Sequence, residues 1–175
     1  LIVPEERSFF FSRKIIALKM QRFVIALVGL LVATVGAEVV DFGACPGTMK
    51  CTVHEVRINP CPEAAKQKPC TVIKGKNATI EFDYTPEWAS QEAKAKAWWT
   101  TPATDLPFIG MDEKACKFTG CPIAAGQKQS YSYELPILKT FPTRAYDVKW
   151  QLLNEDGEQC CFIIPIVIKT KRGKV

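Results

Sequence analysis

Tyr146-Asp147-Val148-Lys149-Trp150-Gln151-Leu152 alternates apolar and polar side chains along its whole length. A strand turns successive side chains to opposite faces, so this period of two describes a strand with one dry face and one wet face. Working outward, the same period recurs where Ile80, Phe82 and Tyr84 sit between Thr79, Glu81 and Asp83. It recurs again where Tyr131, Tyr133 and Leu135 sit between Ser130, Ser132 and Glu134. Residues 52–58 and 95–101 read as further strands. Residues 162–168, Phe-Ile-Ile-Pro-Ile-Val-Ile, are apolar on both faces and predict a strand covered on both sides. Pro165 must then sit where the ladder needs no donor. Turn residues at Lys74-Gly75-Lys76-Asn77, Ala125-Gly126-Gln127 and Asn154-Glu155-Asp156-Gly157 punctuate these runs. Residues 87–96 hold the one helix-like patch, short enough to be a turn. The sum predicts an all-β sandwich of about seven strands.

Eight cysteines staple this pattern: Cys45, Cys51, Cys61, Cys70, Cys116, Cys121, Cys160 and Cys161. They follow an export signal. Met20-Gln21-Arg22 leads into residues 23–37, fifteen positions without a charge, ending on Val35-Gly36-Ala37. A basic start, a short apolar run and a small-x-small end make a secretory signal peptide over 20–37, with cleavage before Glu38. The run is shorter than the ~20 residues of a bilayer helix, which argues against an anchor. Residues 1–19 precede Met20 and read as an upstream extension of the gene. An even cysteine count in an oxidising compartment favours disulfides. Zinc is disfavoured, because there is no Cys-x-x-Cys pair and the only histidine is His54.

Residues 38–175 are long enough for one domain with one core. Residues 1–37 carry five basic and two acidic side chains, so the net charge falls from +5 to +2 without them. That balance does not point to nucleic acid. The basic tail Lys169, Lys171, Arg172 and Lys174 reads as a solvated end, with a membrane-surface role as its alternative. No Ser/His/Asp or Cys/His set is available, no acidic pair stands out and no Gly-rich phosphate loop occurs, so the chain does not read as an enzyme. His54 reads as a surface or edge histidine. What stands out is inward-facing bulk: Ile58, Val72, Ile80, Phe82, Trp98 or Trp99, Phe108, Ile137, Phe141, Trp150, Phe162, Ile164 and Ile166. From the residues alone, these fill a solid core or line a cavity. Asn77-Ala78-Thr79 is an N-glycosylation acceptor beside a turn.

Several short motifs occur in a telling order: Cys61-Pro62, Cys116-x4-Cys121-Pro122-Ile123, Tyr131-Ser132-Tyr133, Leu135-Pro136-Ile137, Phe141-Pro142, Trp150-Gln151-Leu152 and Cys161-Phe162-Ile163-Ile164-Pro165. Together with the cysteine ladder they resemble the ML-domain family, in its Niemann-Pick type C2 group, over residues 42–168. The resemblance implies an immunoglobulin-like β-sandwich whose sheets splay around a sterol, a fatty acid or another lipid. It implies the pairs Cys45–Cys161, Cys61–Cys70 and Cys116–Cys121. Cys51 and Cys160 are extra to that pattern and form a fourth bridge or remain free. As strand neighbours, Cys160 and Cys161 face opposite sides and can serve different partners.

The resemblance also implies that Ile58, Val72, Phe108, Ile137, Phe141, Trp150 and Ile164 surround the lipid, with Phe108 and Phe141 as a gate on Pro-containing loops. The chain departs from sterol-binding members at Trp98-Trp99-Thr100-Thr101, where they commonly carry Val-Val-His-Gly. Trp99, sharing a strand face with Ala95 and Ala97, is the indole expected inside, which disfavours a rigid sterol relative to a flexible fatty acid. The implied function is that of a monomeric, secreted or lysosomal lipid carrier, without cofactor or metal, that touches a membrane or receptor during transfer. A lipid-presenting co-receptor in innate immunity is the alternative.

Overall fold

The computed structural model describes residues 36–101 and 103–171. The expected upstream extension, nearly all of the expected signal peptide and the last four residues of the basic tail lie outside them. The architecture is all-β, as the alternation predicts. One sheet has four strands in the order β1 (Glu38–Val40), β3 (Cys51–Asn59), β5 (Asn77–Pro86) and β8 (Gln129–Pro136). The other has six. Its main path runs β2 (Gly43–Ala44), β10 (Gln159–Lys169), β9 (Ala145–Leu153), β6 (Lys94–Thr100) and β7 (Asp105–Pro107). β4 (Cys70–Ile73) joins β10 as a parallel partner. Every other pairing is antiparallel.

Among the described residues the count of ten exceeds the expected seven through β1, β2 and β7, pieces of two or three residues. Such short edge segments carry no readable period. The helix-like patch at residues 87–96 is not helical. It is a bend closed by a bridge between Ser90 and Ile123, and Lys94 already opens β6.

Packing follows the alternation. Tyr146, Val148, Trp150 and Leu152 are buried from β9, and Ile80, Phe82 and Tyr84 from β5. On β10 the buried set is Cys160, Phe162, Ile164, Ile166 and Ile168 on the inner face, with Cys161 buried on the other face by its disulfide. β10 is flanked by β9 on one edge and by β2 and then β4 on the other, but its outer face is not covered as expected: Ile163 and Val167 are only half-buried and Pro165 is exposed. Pro165 is exposed and falls between the residues paired to β2 and those paired to β4. A residue without an N–H fits that gap in the ladder. Phe82 and Phe162 meet edge to face at 5.0 Å, and Phe82 stacks on Tyr131 at 4.9 Å, making a solid aromatic centre.

The outer face of the four-stranded sheet is tied by charge. Arg57 on β3 donates to Asp83 on β5 at 3.0 Å and also reaches Glu55 and Glu81. Ser130 on β8 donates to the same Asp83 carboxylate at 2.6 Å. Three strands thus share one network.

Four disulfides complete the frame: Cys45–Cys161, Cys51–Cys160, Cys61–Cys70 and Cys116–Cys121. Cys160 points inward and crosses to β3 in the opposite sheet, while Cys161 serves Cys45 beside β2 in its own sheet.

Candidate functional site

The residues facing each other beyond the aromatic centre leave a small apolar cavity, about 40 Å³, between the sheets. Its walls come from seven strands and two loops. β3 supplies Ile58, β4 supplies Val72, and β5 supplies Ala78 and Ile80. β9 supplies Val148 and Trp150, and β10 supplies Ile164 and Ile166. Trp99 from β6 and Leu135 from β8 close the far side, with Phe108 and Ile137 from the loops that follow β7 and β8. Strand alternation explains the selection except at Thr79, which also lines the gap between Ala78 and Ile80: elsewhere each strand offers every second side chain.

One end is plugged by aromatics. Trp99 lies 4.7 Å from Phe108, 5.5 Å from Phe141 and 4.4 Å from Tyr146, ring centre to ring centre. Phe108 and Phe141 meet edge to face at 5.0 Å. Offset and edge-on pairs of this kind each add about 0.5–1.5 kcal/mol beyond burial. The Tyr146 hydroxyl donates to the Pro142 carbonyl at 3.2 Å and fixes the 141–144 turn against the plug. The 138–141 turn is closed by the Phe141 amide donating to the Leu138 carbonyl at 3.2 Å. Gly75 anchors it from below: its amide donates to the Ile137 carbonyl at 2.6 Å, and its φ of 74° is left-handed, which favours glycine. Outside the plug, Leu106, Ile109 and Leu138 are exposed apolar side chains, Ile109 at 79 %.

Of the two indoles, Trp99 faces the cavity. Trp98 faces out, with the Lys149 ammonium 5.5 Å from its ring centre. Phe82 and Phe162, expected at the ligand, do not line the cavity. They are 0 % and 1 % exposed within the solid aromatic centre, so they form its floor support. Phe141 touches Trp99 and Phe108 rather than the cavity itself. Ala78, Leu135 and Val148 line it and were not singled out from sequence. Small or ordinary aliphatic side chains carry no signal by type. The alternation of β5, β8 and β9 was enough to place all three.

The electrostatics are those of an oily site. Trp150 is 1 % exposed, and its indole nitrogen has no hydrogen-bond partner among the described residues. Burial also pushes the Tyr131 phenol well above its ordinary range. His54 is exposed on β3, its Nε2 2.8 Å from the Thr85 hydroxyl. Among the described residues no cluster of three or more His, Cys, Asp or Glu is placed to hold a metal ion. Asn77 opens β5 on the surface, its amide donating to the Glu134 carboxylate.

An immunoglobulin-like sandwich stapled by disulfides, with an apolar cavity between its sheets, is the architecture of the small lipid-recognition domains. The chain belongs to one such family: the ML domain model matches residues 39–168. It is 36 % identical over 148 residues to an MD-2-related lipid-recognition protein of Manduca sexta, covering 82 % of this chain and 94 % of that protein. It is 32 % identical over 143 residues to the NPC intracellular cholesterol transporter 2 of Sus scrofa, covering 80 % and 92 %. In fold it is similar to a Niemann-Pick type C2 protein from the Japanese carpenter ant, with a TM-score of 0.66 at 22 % identity over 74 % of this chain and 99 % of that one.

Proposed function

We propose that this protein is a secreted carrier that holds one lipid between its sheets, and that it prefers a single flexible acyl chain to a fused-ring sterol. The observation that carries this reading is the apolar cavity with Trp99 in its wall. At about 40 Å³ the cavity is far below the ~300 Å³ at which ligand sites begin. A ligand must therefore part the sheets and displace the plug, and a bendable chain can do so in steps. Burying roughly 300 Å² of its surface at ~25 cal/mol per Å² is worth several kcal/mol, enough for reversible binding.

Exposed Leu106, Ile109 and Leu138 beside the plug suit brief contact with a membrane or receptor during transfer. Lys139, packed over Gly75, adds positive charge at the same rim. Four disulfides fit an oxidising destination, outside the cell or in the lysosomal lumen. Asn77 is the residue at which a glycan would be attached.

Competition between a fluorescent fatty acid and a fluorescent sterol tests the preference. Fatty acid binding the tighter of the two supports it. Sterol binding much the tighter overturns it in favour of sterol transport. Lipid-dependent oligomerisation with a receptor ectodomain would point instead to a presenting co-receptor.

A further inference from the structure

The cavity is closed along both long sides of the sandwich. On one side, Cys51–Cys160 joins β3 to β10. Cys61–Cys70 there joins the chain just past β3 to the first residue of β4, which is laddered onto β10. On the other side, residues 108–119 run between the sheets as a strap. The Phe108 and Ala115 amides donate to the Ala97 and Ala93 carbonyls at 2.8 and 3.0 Å, and the Ala95 amide donates to the Glu113 carbonyl at 2.9 Å. Towards β8, the Ser132 amide donates to the Phe118 carbonyl at 2.9 Å, and the Asp112 amide donates to the Tyr133 hydroxyl at 3.0 Å. Cys116–Cys121 staples the same strap. The floor is the solid centre of Phe82, Tyr131 and Phe162. A ligand's way in is therefore the plugged end.

Three of the four rings at that end stand on pinned backbone. Trp99 is laddered to both β9 and β7, Tyr146 is laddered to β10 opposite Ile166, and the Phe108 amide is held by Ala97. Phe141 is different. Its turn is pinned at its two ends, where the Ile137 amide donates to the Lys76 carbonyl and the Ile168 amide donates to the Arg144 carbonyl, each at 2.9 Å. Between those pins, among the described residues, 138–143 make one hydrogen bond to the body of the protein: the Tyr146 hydroxyl donates to the Pro142 carbonyl at 3.2 Å. The Phe141 amide bond to Leu138 lies within the turn itself. Leu138, Lys139, Thr140, Pro142 and Thr143 are all exposed. An exposed segment with so few bonds to its surroundings is the one that opens at least cost.

We propose that Tyr146 is a positioning residue for ligand exchange: its hydroxyl latches the 138–143 turn, and release of that one hydrogen bond lets the turn lift Phe141 off Trp99 and Phe108 and open the end of the cavity. This rests on the carrier reading and names the moving part. Tyr146 does not line the cavity, so it acts through Phe141. Its ring is well placed to aim the hydroxyl, with Trp99 at 4.4 Å and the Arg144 guanidinium 4.7 Å from its centre. A phenylalanine there keeps the ring and loses only the latch. The latch belongs to the closed turn, whether a ligand is inside or not. Its loss therefore eases entry and exit alike and leaves their ratio unchanged. One hydrogen bond of ordinary net strength corresponds to about two- to tenfold in rate.

The test compares the whole secreted chain with its Tyr146→Phe variant, using oleic acid as the probe. Stopped-flow tryptophan fluorescence reads association, and displacement by excess unlabelled vesicles of phosphatidylcholine reads release. Both rates should rise by about two- to tenfold in the variant, with Kd unchanged. Unchanged rates overturn the inference while leaving lipid binding intact. Faster release alone, with a weaker Kd, also overturns it, because the hydroxyl would then hold the ligand rather than the turn. Hydrogen exchange gives a second reading. In the unsubstituted protein the amides of 138–143 should exchange faster than those of 108–119, and in the variant only the former should speed up. Equal protection of the two segments, or faster exchange along the strap, overturns the inference even if the variant fails to fold. A chain that takes up neither oleate nor cholesterol overturns the carrier reading and the inference with it.

Discussion

Replacing Trp99 by alanine removes the one indole that both walls the cavity and holds its plug together. The stability cost can be worked from its neighbours. Trp99 has three aromatic partners, Phe108, Phe141 and Tyr146, at 4.7, 5.5 and 4.4 Å. At about 0.5–1.5 kcal/mol each, their loss sums to roughly 1.5–4.5 kcal/mol. Trp99 is only half-buried, so the outcome should fall below the ~3–5 kcal/mol of a fully buried tryptophan. We expect about 2–3 kcal/mol, a fall in melting temperature of roughly 5–15 °C for a domain of this size. Binding should move the other way for bulky ligands. The freed volume adjoins the existing cavity, so cholesterol affinity should rise relative to oleate by about tenfold or more. Thermal unfolding and paired competition assays read the two effects on one sample. A normal melting temperature would refute the packing argument. An unchanged sterol-to-fatty-acid ratio would refute the claim that Trp99 restricts the ligand.

Alkylation of the unreduced protein should add no mass, since all eight cysteines are paired; labelling of two would show that Cys51–Cys160 is not formed. Trp150→Ala should cost about 3–5 kcal/mol because the side chain is fully buried, whereas Phe141→Ala should cost less and act mainly on ligand binding; equal melting losses would place Phe141 in the core. Arg57 and then Ser130 hold the Asp83 carboxyl well below the usual carboxylate range, against the opposing effect of burial. A depressed folded-state value means stability that is present above the ordinary ~3.9 of a free aspartate and lost as pH falls below it. The melting temperature should therefore drop between about pH 5 and pH 2, and Asp83→Asn should flatten that drop; a variant with the same acid profile would remove Asp83 as its source. Peptide-N-glycosidase treatment of material from eukaryotic cells should release a glycan from Asn77, and an unchanged mass would show the acceptor unused.

The sandwich was legible because its long strands obey one rule. β5, β8 and β9 each alternate cleanly, so the buried face of each could be read residue by residue. β1, β2 and β7 were not legible, since two or three residues carry no period and owe their pairing to the strands beside them. Residues 87–96 misled because Glu, Gln, Ala and Lys favour helix locally, while the ladder of β6 to β9 prevails over local preference from Lys94 onward. The cavity itself was only half legible. Which side chains point inward follows from alternation, and this placed Trp99 inside and Trp98 outside. How far along the interior solid packing ends follows from side-chain contacts across the sheets. That is why Phe82 and Phe162 are in the packed centre while Ile80 and Ile164, two residues away on the same faces, line the gap.

Native mass spectrometry of the protein purified from the medium of eukaryotic cells, before and after solvent extraction, tests the carrier reading most directly. The account predicts a chain that begins at Glu38 and carries one extractable lipid, replaceable at one-to-one stoichiometry by oleate. A chain with no bound lipid, and no saturable uptake of either oleate or cholesterol after extraction, would contradict it and leave the interior as a solid core.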